Sequence, residues 1–515
     1  MIRAVKNLKR LFQIARTLAR HDALFPLENI GVAREVAAMA KLFSRKNVPG
    51  RPGQRLARAL SELGPSFIKL GQALSTRPDL MGEEVAHDLS ELQDQLPPFS
   101  FDDVQRIFKG EFEESIDDLF SEFSETPVAA ASIAQVHFAT TTDGREVAVK
   151  VLRPGVDDLI ARDLDLLYWI AEIVEATQPS LRRLKPVESV QAFEDSVTME
   201  MDLRFEAAAA AEMAENFLGD DTFNVPEIDW QRTSQRIMTS ERVKGIPTDE
   251  RETVIAAGID PTEVVAKAAD AFFNMVFRDG FFHADMHPGN LFVREDGNLV
   301  AVDFGIMGRV DLQTRRYLGE MLLGFLTGNY RRVAEIHFEA GFVPADKSVD
   351  AFTQAARSIA EPIFGRPMKD ISIARLLGQL FAVTETFEME AQPQLLLLQK
   401  SMLVAEGVGR RMAPDINMWE LAQPLVEDWM RANLGPEARI KDAVSNVVST
   451  AEKLPKIINE GEKVFAMIQA GGVRLHPETL AALAGQRVAR KSRMNVLMIL
   501  PWALVVILLA LLVGN

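Results

Sequence analysis

The chain has 515 residues, too many for one hydrophobic core, so two or more packed units with appendages are expected. Hydrophobic residues make up 47% and charged residues 25%, the balance of a globular rather than a disordered protein. A formal net charge of −16 excludes a general nucleic-acid binder, and the absence of cysteine excludes disulfides, thiolate metal sites and thiol catalysis.

The N-terminus, "MIRAVKNLKRLFQIARTLARHD", has no acidic residue before Asp22 and places Leu8, Leu11, Phe12, Ala15 and Leu18 on one helical face. Three readings fit this pattern: a membrane-surface helix, an Arg-rich transit peptide, or an ordinary surface helix. Residues 1–120 read as helices throughout, through "LARALSELGPSFIKLGQALS" to a Pro-Pro stop. From about residue 127 the texture changes to short β-branched runs, and "TTDG" between two alternating segments signals a hairpin. Helices follow over 156–177 and, as one continuous element, 187–217. Next come a strand pair around "VPEIDW" and "RIMTSERVKG" and a helix over 261–280. Beyond Asp303 the pattern is helical up to a joint at "QAGGVRLHPE" near residue 470. The run from Val496 to Val513 holds 18 uncharged residues and reaches about 27 Å as a helix, the thickness of a bilayer core. Arg487, Arg490, Lys491 and Arg493 precede it, so a transmembrane anchor with the bulk of the chain on the cytoplasmic side is expected.

Chemistry concentrates in "HADMHPGNLFV", His283 to Val293, and the "DFG" that begins at Asp303. A phosphoryl-transfer site needs a carboxylate to orient the nucleophile, an amide oxygen and a second carboxylate for magnesium, and a lysine on the nucleotide phosphates. Asp285 precedes Asn290 by five residues, and Asp303 follows Asn290 by thirteen. Between them "LFVREDGNLVAV" reads as a hairpin that returns the chain, so that Asn290 and Asp303 can face one ion. In "REVAVK" the alternation of Val147 and Val149 sets Lys150 at the end of a strand. Each element alone is weak, since Asp303 read singly is a turn-capping aspartate and Asn290 a turn cap. Their order and spacing together carry the reading. His283 and His287 are assigned structural roles, because hard magnesium prefers oxygen.

This set resembles the protein-kinase-like superfamily, with departures that narrow the match. His287 stands where most protein kinases place a lysine, and a glycine-rich loop is replaced by "AAASIAQVH", Ala129 to His137. That loop, the "KLGQ" of Lys69 to Gln72 and the "EMD" of Glu200 to Asp202 resemble the UbiB or ADCK family of atypical kinase-like proteins of ubiquinone biosynthesis. The resemblance covers about residues 55–340 with specific motifs and the helical remainder more loosely.

The resemblance implies an α+β, two-lobed protein-kinase-like fold with an N-terminal helical extension, a mostly helical C-terminal part and a C-terminal transmembrane helix. The expected divisions are an extension over 1–120, an N-lobe over 121–245, a C-lobe over 246–470, a basic linker over 471–493 and an anchor over 494–515. Lys69 and Gln72, at i and i+3 on one helix face, would fold over the nucleotide pocket, with Glu200 and Asp202 in reach. Read without the family, "FIKLGQ" is an amphipathic core helix with a snorkelling lysine. If 187–217 is one helix, Asp202 and Glu206 share a face, which makes Glu206 the preferred partner of Lys150 and Glu200 the alternative. The nucleotide, ATP or ADP, would meet Ala129, Ala130, Ala131, Ser132, Ile133, Ala134, Gln135 and Val136. Alanines restrict the backbone freedom that glycines give, and the Ser132 hydroxyl could compensate. "MTSERVKG" stands where a hinge would read adenine, with Met238, Glu241 and Val243 at the pocket.

The function expected is an ATP- and Mg2+-dependent enzyme at the inner membrane, with Asp285, Lys150 and Lys69 catalytic and Asn290 and Asp303 on the metal. Its partners would be membrane lipid, quinone precursors and other ubiquinone-biosynthesis proteins, with a homodimer left open and no nucleic acid. ATP hydrolysis is preferred; a lipid or small-molecule phosphotransferase and a nucleotide-binding scaffold are the alternatives.

Overall fold

The computed structural model describes residues 2–28, 48–75, 82–90, 96–177, 185–220, 222–363 and 393–434, with a few isolated positions between them. The chain divides into two units, Met1–Gly435 and Pro436–Asn515, and every described residue lies in the first.

The N-terminal extension is built of α1 (Ile2–Arg20), α2 (Pro52–Leu63), α3 (Pro65–Ser75) and α4 (Glu83–Ser90). The apolar stripe of α1 has a protein partner: Leu11, Ile14, Ala15, Leu18 and Ala19 are buried with Leu56, Ala59, Leu60, Phe67 and Leu89. This corrects the membrane-surface reading, because the face that would enter lipid is consumed by internal packing. Arg10 fixes the contact by donating to both oxygens of Asp163, at 2.8 and 3.0 Å.

After α5 (Phe101–Phe112) come β1 (Phe120–Phe123), β2 (Ala129–Ala130), β3 (Ala134–Thr141) and β4 (Glu146–Leu152). The "TTDG" hairpin forms between β3 and β4, and Gly144 takes the left-handed conformation (φ 87) that the turn requires. Then follow α6 (Val156–Thr177), α7 (Pro186–Glu200), α8 (Leu203–Asn216), β5 (Phe223–Asn224) and β6 (Ile237–Glu241). The first sheet runs β1-β3-β4-β6, with β2 also on β3, and all of its pairs are antiparallel.

Alternation gives this sheet two faces. Ala139, Val147, Val149, Val151 and Ile237 are buried against Val104 and Phe108 of α5. Val136, Lys150 and Met238 stand opposite one another across three strands and point to the other side. The expected single helix over 187–217 is broken. Asp202 is extended (φ −121, ψ 96) and its side chain accepts from the Arg204 amide, making it the N-cap of α8. A short polar side chain at a cap satisfies an amide that a continuous helix would have bonded itself.

The second lobe contains β7 (Ile246–Pro247), α9 (Pro261–Phe273), β8 (Phe281–His283), β9 (Leu291–Val293), β10 (Leu299–Ala301) and β11 (Met307–Arg309). α9 runs into a π-helical turn, Asn274–Asp279, that ends at Gly280 in the left-handed region (φ 68). β9 and β10 form the expected hairpin, and the Val302 amide donates to the Asn290 carbonyl at 2.8 Å just beyond it. β11 pairs with β8, setting Met307 opposite His283.

Beyond lie α10 (Leu312–Leu326), α11 (Tyr330–Glu339), α12 (Val349–Ala360), α13 (Pro393–Met412) and α14 (Met418–Leu434). Leu398, Val408, Met412 and Trp429 of the last two helices belong to the same core as β8 to β11. The Trp429 indole donates to the Phe277 carbonyl at 2.8 Å.

Among the described residues no helix is long and apolar enough to cross a membrane, and the expectation of a single-pass inner-membrane protein is withdrawn on that finding. The run Val496–Val513 on which it was read lies outside the described residues, as do the 471–493 linker and the C-lobe boundary at 470.

Candidate active site

Lys150 projects from β4 into the space between the lobes. Its Nζ lies 2.7 and 2.9 Å from the two oxygens of Glu206 on α8 and 3.3 Å from Oδ1 of Asp303. Glu206 therefore holds Lys150, although α8 is a separate helix and Asp202 is turned to Arg204. Glu200, the alternative, ends α7 and pairs with Lys69 at 2.6 Å. Burial pushes the Glu206 carboxyl up to about 7, with Lys150 pulling the other way and Asp303 adding to the rise. Burial opposes the charge on Lys150, but Asp303 and Glu206 outweigh it and raise its pKa. Desolvation within the cleft opposes ionisation of Asp303 although its carboxylate is half open to solvent, yet Lys150 and then Lys69 hold it well below the usual carboxylate range. Lys69 on α3 thus acts on the same cluster from the extension. Gln72 is on that helix too, and among the described residues its buried Oε1 has no hydrogen-bond partner.

Asp285 occupies the loop between β8 and β9. Its carbonyl accepts from the His287 amide (2.8 Å) and from Asn290 Nδ2 (3.1 Å). That second bond assigns the Asn290 amide nitrogen to the backbone and reserves its oxygen. His283 is fully buried and kept neutral by that burial; its Nδ1 accepts from the Asp285 amide and its Nε2 faces the Val302 carbonyl at 3.3 Å. It ties the Asp285 loop to the strand that delivers Asp303, and His287 caps the next turn by accepting from the Gly289 amide. Both histidines bond to the backbone of this loop.

The alanine-rich loop divides by face. Ala129 is exposed, Ala130, Ala131 and Val136 are half-buried, and Ile133 and Ala134 join the main core. Ser132 and Gln135 are corrections. Ser132 is wholly buried (0%), so its hydroxyl is not presented at an open surface. Gln135 is on the opposite side of the strand from Lys150, accepting from the Phe99 amide at 2.9 Å and meeting His137 at 2.9 Å. Met238 faces the cleft opposite Lys150, while Glu241 has an exposed side chain and an amide already given to the Glu227 carbonyl. Val243 is half-buried just beyond β6.

Two side chains escaped the sequence reading. Arg153 pins the alanine loop by donating to the carbonyls of Ser132 (3.2 Å) and Ala131 (3.1 Å). Lys400 on α13 reaches Asp285 Oδ1 at 3.0 Å. The signal for Lys400 was a lone cation in the apolar "LLLLQKSM"; for Arg153 there was none beyond its place after a strand.

Among the described residues no cluster of three acidic or histidine side chains is preassembled for a metal. Magnesium does not need one, since it takes one or two protein oxygens and completes its shell with phosphate and water. Asp303 keeps 48% of its side-chain surface exposed, and the Asn290 oxygen is spared by the Asp285 carbonyl; the pair fits such an ion. Asp303 also adopts φ 59, a left-handed conformation uncommon outside glycine, which turns its carboxylate away from the path of β10 toward Lys150.

Residues 91–337 match the ABC1 atypical kinase-like domain, and residues 356–417 match the UbiB helical domain. A probable protein kinase UbiB of Marinobacter nauticus is 39% identical, the match covering 95% of this chain and 91% of that one. One of Cellvibrio japonicus is 38% identical over 96% and 91% of the two chains, and one of Vibrio parahaemolyticus 40% identical over 88% and 84%. Among solved structures, the Rv3197–erythromycin complex of Mycobacterium tuberculosis is 26% identical with a TM-score of 0.48, covering 76% of this chain and 97% of that one. A kinase-like core with an alanine-rich loop, joined to a UbiB helical domain and aligned with such relatives almost end to end, places the chain in the UbiB family of atypical kinase-like proteins, which is implicated in ubiquinone biosynthesis.

Proposed function

We propose that this protein is a magnesium-dependent ATPase whose turnover handles lipophilic quinone precursors. The observation that carries the reading is the convergence of Lys150, Glu206 and Asp303, from three separate elements, within 3.3 Å contacts beside the Asp285–Asn290 loop. Lys150, held by Glu206, binds nucleotide phosphate. Val136 and Met238 bound the base from the sheet above, and Ala129 to Ala131 lie along the phosphates. Asn290 and Asp303 would hold magnesium, which supplies charge neutralisation at the phosphate oxygens when bound. Asp285 orients water on the γ-phosphorus and takes its proton.

Hydrolysis is favoured over transfer to a protein because the extension stands at the site: Lys69 is only 9% exposed and paired with Glu200, and its charge acts on Asp303. A water molecule or small head group can reach Asp285 where a folded substrate is obstructed. Partners that follow are a quinone precursor and the enzymes that pass it on.

The test is phosphate release by purified protein with Mg-ATP. Asp285→Asn should lower kcat by about 100-fold or more while leaving ATP binding intact. Asp303→Asn should lose magnesium-dependent binding. Unchanged release in Asp285→Asn would refute the assignment, and radiolabel appearing in a lipid extract instead of as free phosphate would make the protein a lipid phosphotransferase.

A further inference from the structure

The catalytic loop itself, "HADMHPGN", contains no lysine or arginine. A γ-phosphoryl group in transfer spreads its charge over three oxygens and is stabilised chiefly by cations placed where that charge develops. Lys150 approaches the phosphates from β4, held there by Glu206 and Asp303. A cation beside Asp285 therefore has to be sought elsewhere in the chain.

Lys400 sits on α13, 115 residues after Asp285, and its Nζ is 3.0 Å from Asp285 Oδ1. His287 Nε2 lies 3.8 Å from the other oxygen, so cationic or protonatable groups flank both sides of the carboxylate. The helix that bears Lys400 is held firmly. Leu398 and Val408 are in the main core, Ser401 is fully buried with its hydroxyl on the Leu397 carbonyl, and the Met412 carbonyl accepts from Arg251. Compensation of a buried charge does not explain the pair, because Lys400 and Asp285 keep 22% and 26% of their side-chain surfaces exposed. A partly solvated pair of this kind contributes little to stability. An ammonium has three donors, and the contact with Asp285 uses one.

Resting on the ATPase reading above, we propose that Lys400 is the γ-phosphate-binding cation of this site, so that the helical domain completes the catalytic centre. Before turnover one of its donors holds Asp285 in position while the other two meet the γ-phosphate oxygens of bound ATP. As the water oxygen bonds to the γ-phosphorus, the water proton passes to Asp285 and cancels its charge. The bond from γ-phosphorus to the bridging oxygen breaks, and its electron pair leaves on ADP. Lys400, still protonated, is released from the neutralised carboxyl to the phosphoryl oxygens.

The experiment compares wild type with Lys400→Met and Lys400→Arg in full-length protein, measuring phosphate release, Kd for Mg-ATP and for Mg-ADP, and Tm. Lys400→Met should lower kcat by about 100-fold. It should weaken ATP by about tenfold while leaving ADP within about twofold, since only ATP carries the phosphate that Lys400 contacts. Tm should stay within a few degrees of wild type, and Lys400→Arg should recover part of both losses. An unchanged kcat, or equal weakening of ATP and ADP, would overturn the proposal. If wild type releases no phosphate, the ATPase reading fails, and the ATP-against-ADP comparison still decides the role of Lys400: preference lost in Lys400→Met supports it, and preference kept overturns it.

Discussion

Glu206 shows how one position can be both legible and misread. Its partnership with Lys150 was inferred from a shared face with Asp202 on a continuous helix, yet the helix stops at Met201 and Asp202 caps the next one. The pairing holds because α8 alone delivers Glu206 beneath β4. Residue type and order singled out Lys150, Asp285, Asn290 and Asp303 as groups that phosphate chemistry would need, and the short intervening hairpin lets the fold bring them to one cleft. Strand parity could have excluded Gln135, which is one position from Val136 and so faces the opposite side from Lys150. For Lys400 the local signal was a lone cation in an apolar helix, and nothing in that stretch says that it meets Asp285, 115 residues earlier. The elevated Glu206 carboxyl also has a consequence for stability. The folded state binds this proton more tightly than the unfolded chain, so the group stabilises below pH 4.5, and that contribution is lost as pH rises to about 7. Glu206→Gln should therefore flatten the dependence of the urea midpoint on pH across that window. A slope identical to wild type would contradict the assignment. In Asp303→Asn the Glu206 carboxyl should titrate lower by NMR, because a neighbouring negative charge has gone.

At the scale of elements, periodicity located the helices and the two hairpins but was silent on what each face meets. α1 is the clearest case. A basic amphipathic helix suits a lipid surface and a protein core equally well, and only its partners α2 and α6 decide between them. The contact rests on Arg10 as much as on the leucines. Asp163 is 3% exposed, and Arg162 also approaches it at 3.2 Å. Arg10→Ala would leave that carboxylate with the weaker partner. The cost should be about 2 kcal/mol in chemical denaturation, below the ~3–5 kcal/mol of a fully stranded buried charge. If Arg10→Ala is neutral, α1 is not held as described. The broken helix offers a second check at this scale. Asp202→Ala removes the cap of α8 and should cost about 1 kcal/mol, with a matching loss of Mg-ATP affinity if the cap also sets the depth of Glu206.

Across the molecule, the boundary between the kinase-like part and the helical part exists in sequence but not in packing. Two separate family models meet between residues 337 and 356, yet α13 and α14 share one core with β8 to β11. That merger was hidden because a helix of leucines reports its own amphipathicity and not the identity of the surface it covers. Trp429 is where the merger can be tested. It stacks edge-on to Phe277 with ring centroids 5.4 Å apart, fills the space beside Gly319, and donates its indole proton to the carbonyl of the π-helical turn that leads into β8. Trp429→Phe keeps most of the volume and leaves the Phe277 carbonyl with the Arg315 guanidinium (3.1 Å) as its side-chain partner, a cost of ~1 kcal/mol; Trp429→Ala adds a cavity and should cost ~3–5 kcal/mol. If the two parts are one cooperative unit, Trp429→Ala must lower hydrogen-exchange protection in β8 and in the Asp285 loop together with α13 and α14. Loss confined to the two helices would mean that the helical part opens on its own, and Lys400 would then leave Asp285 each time it did.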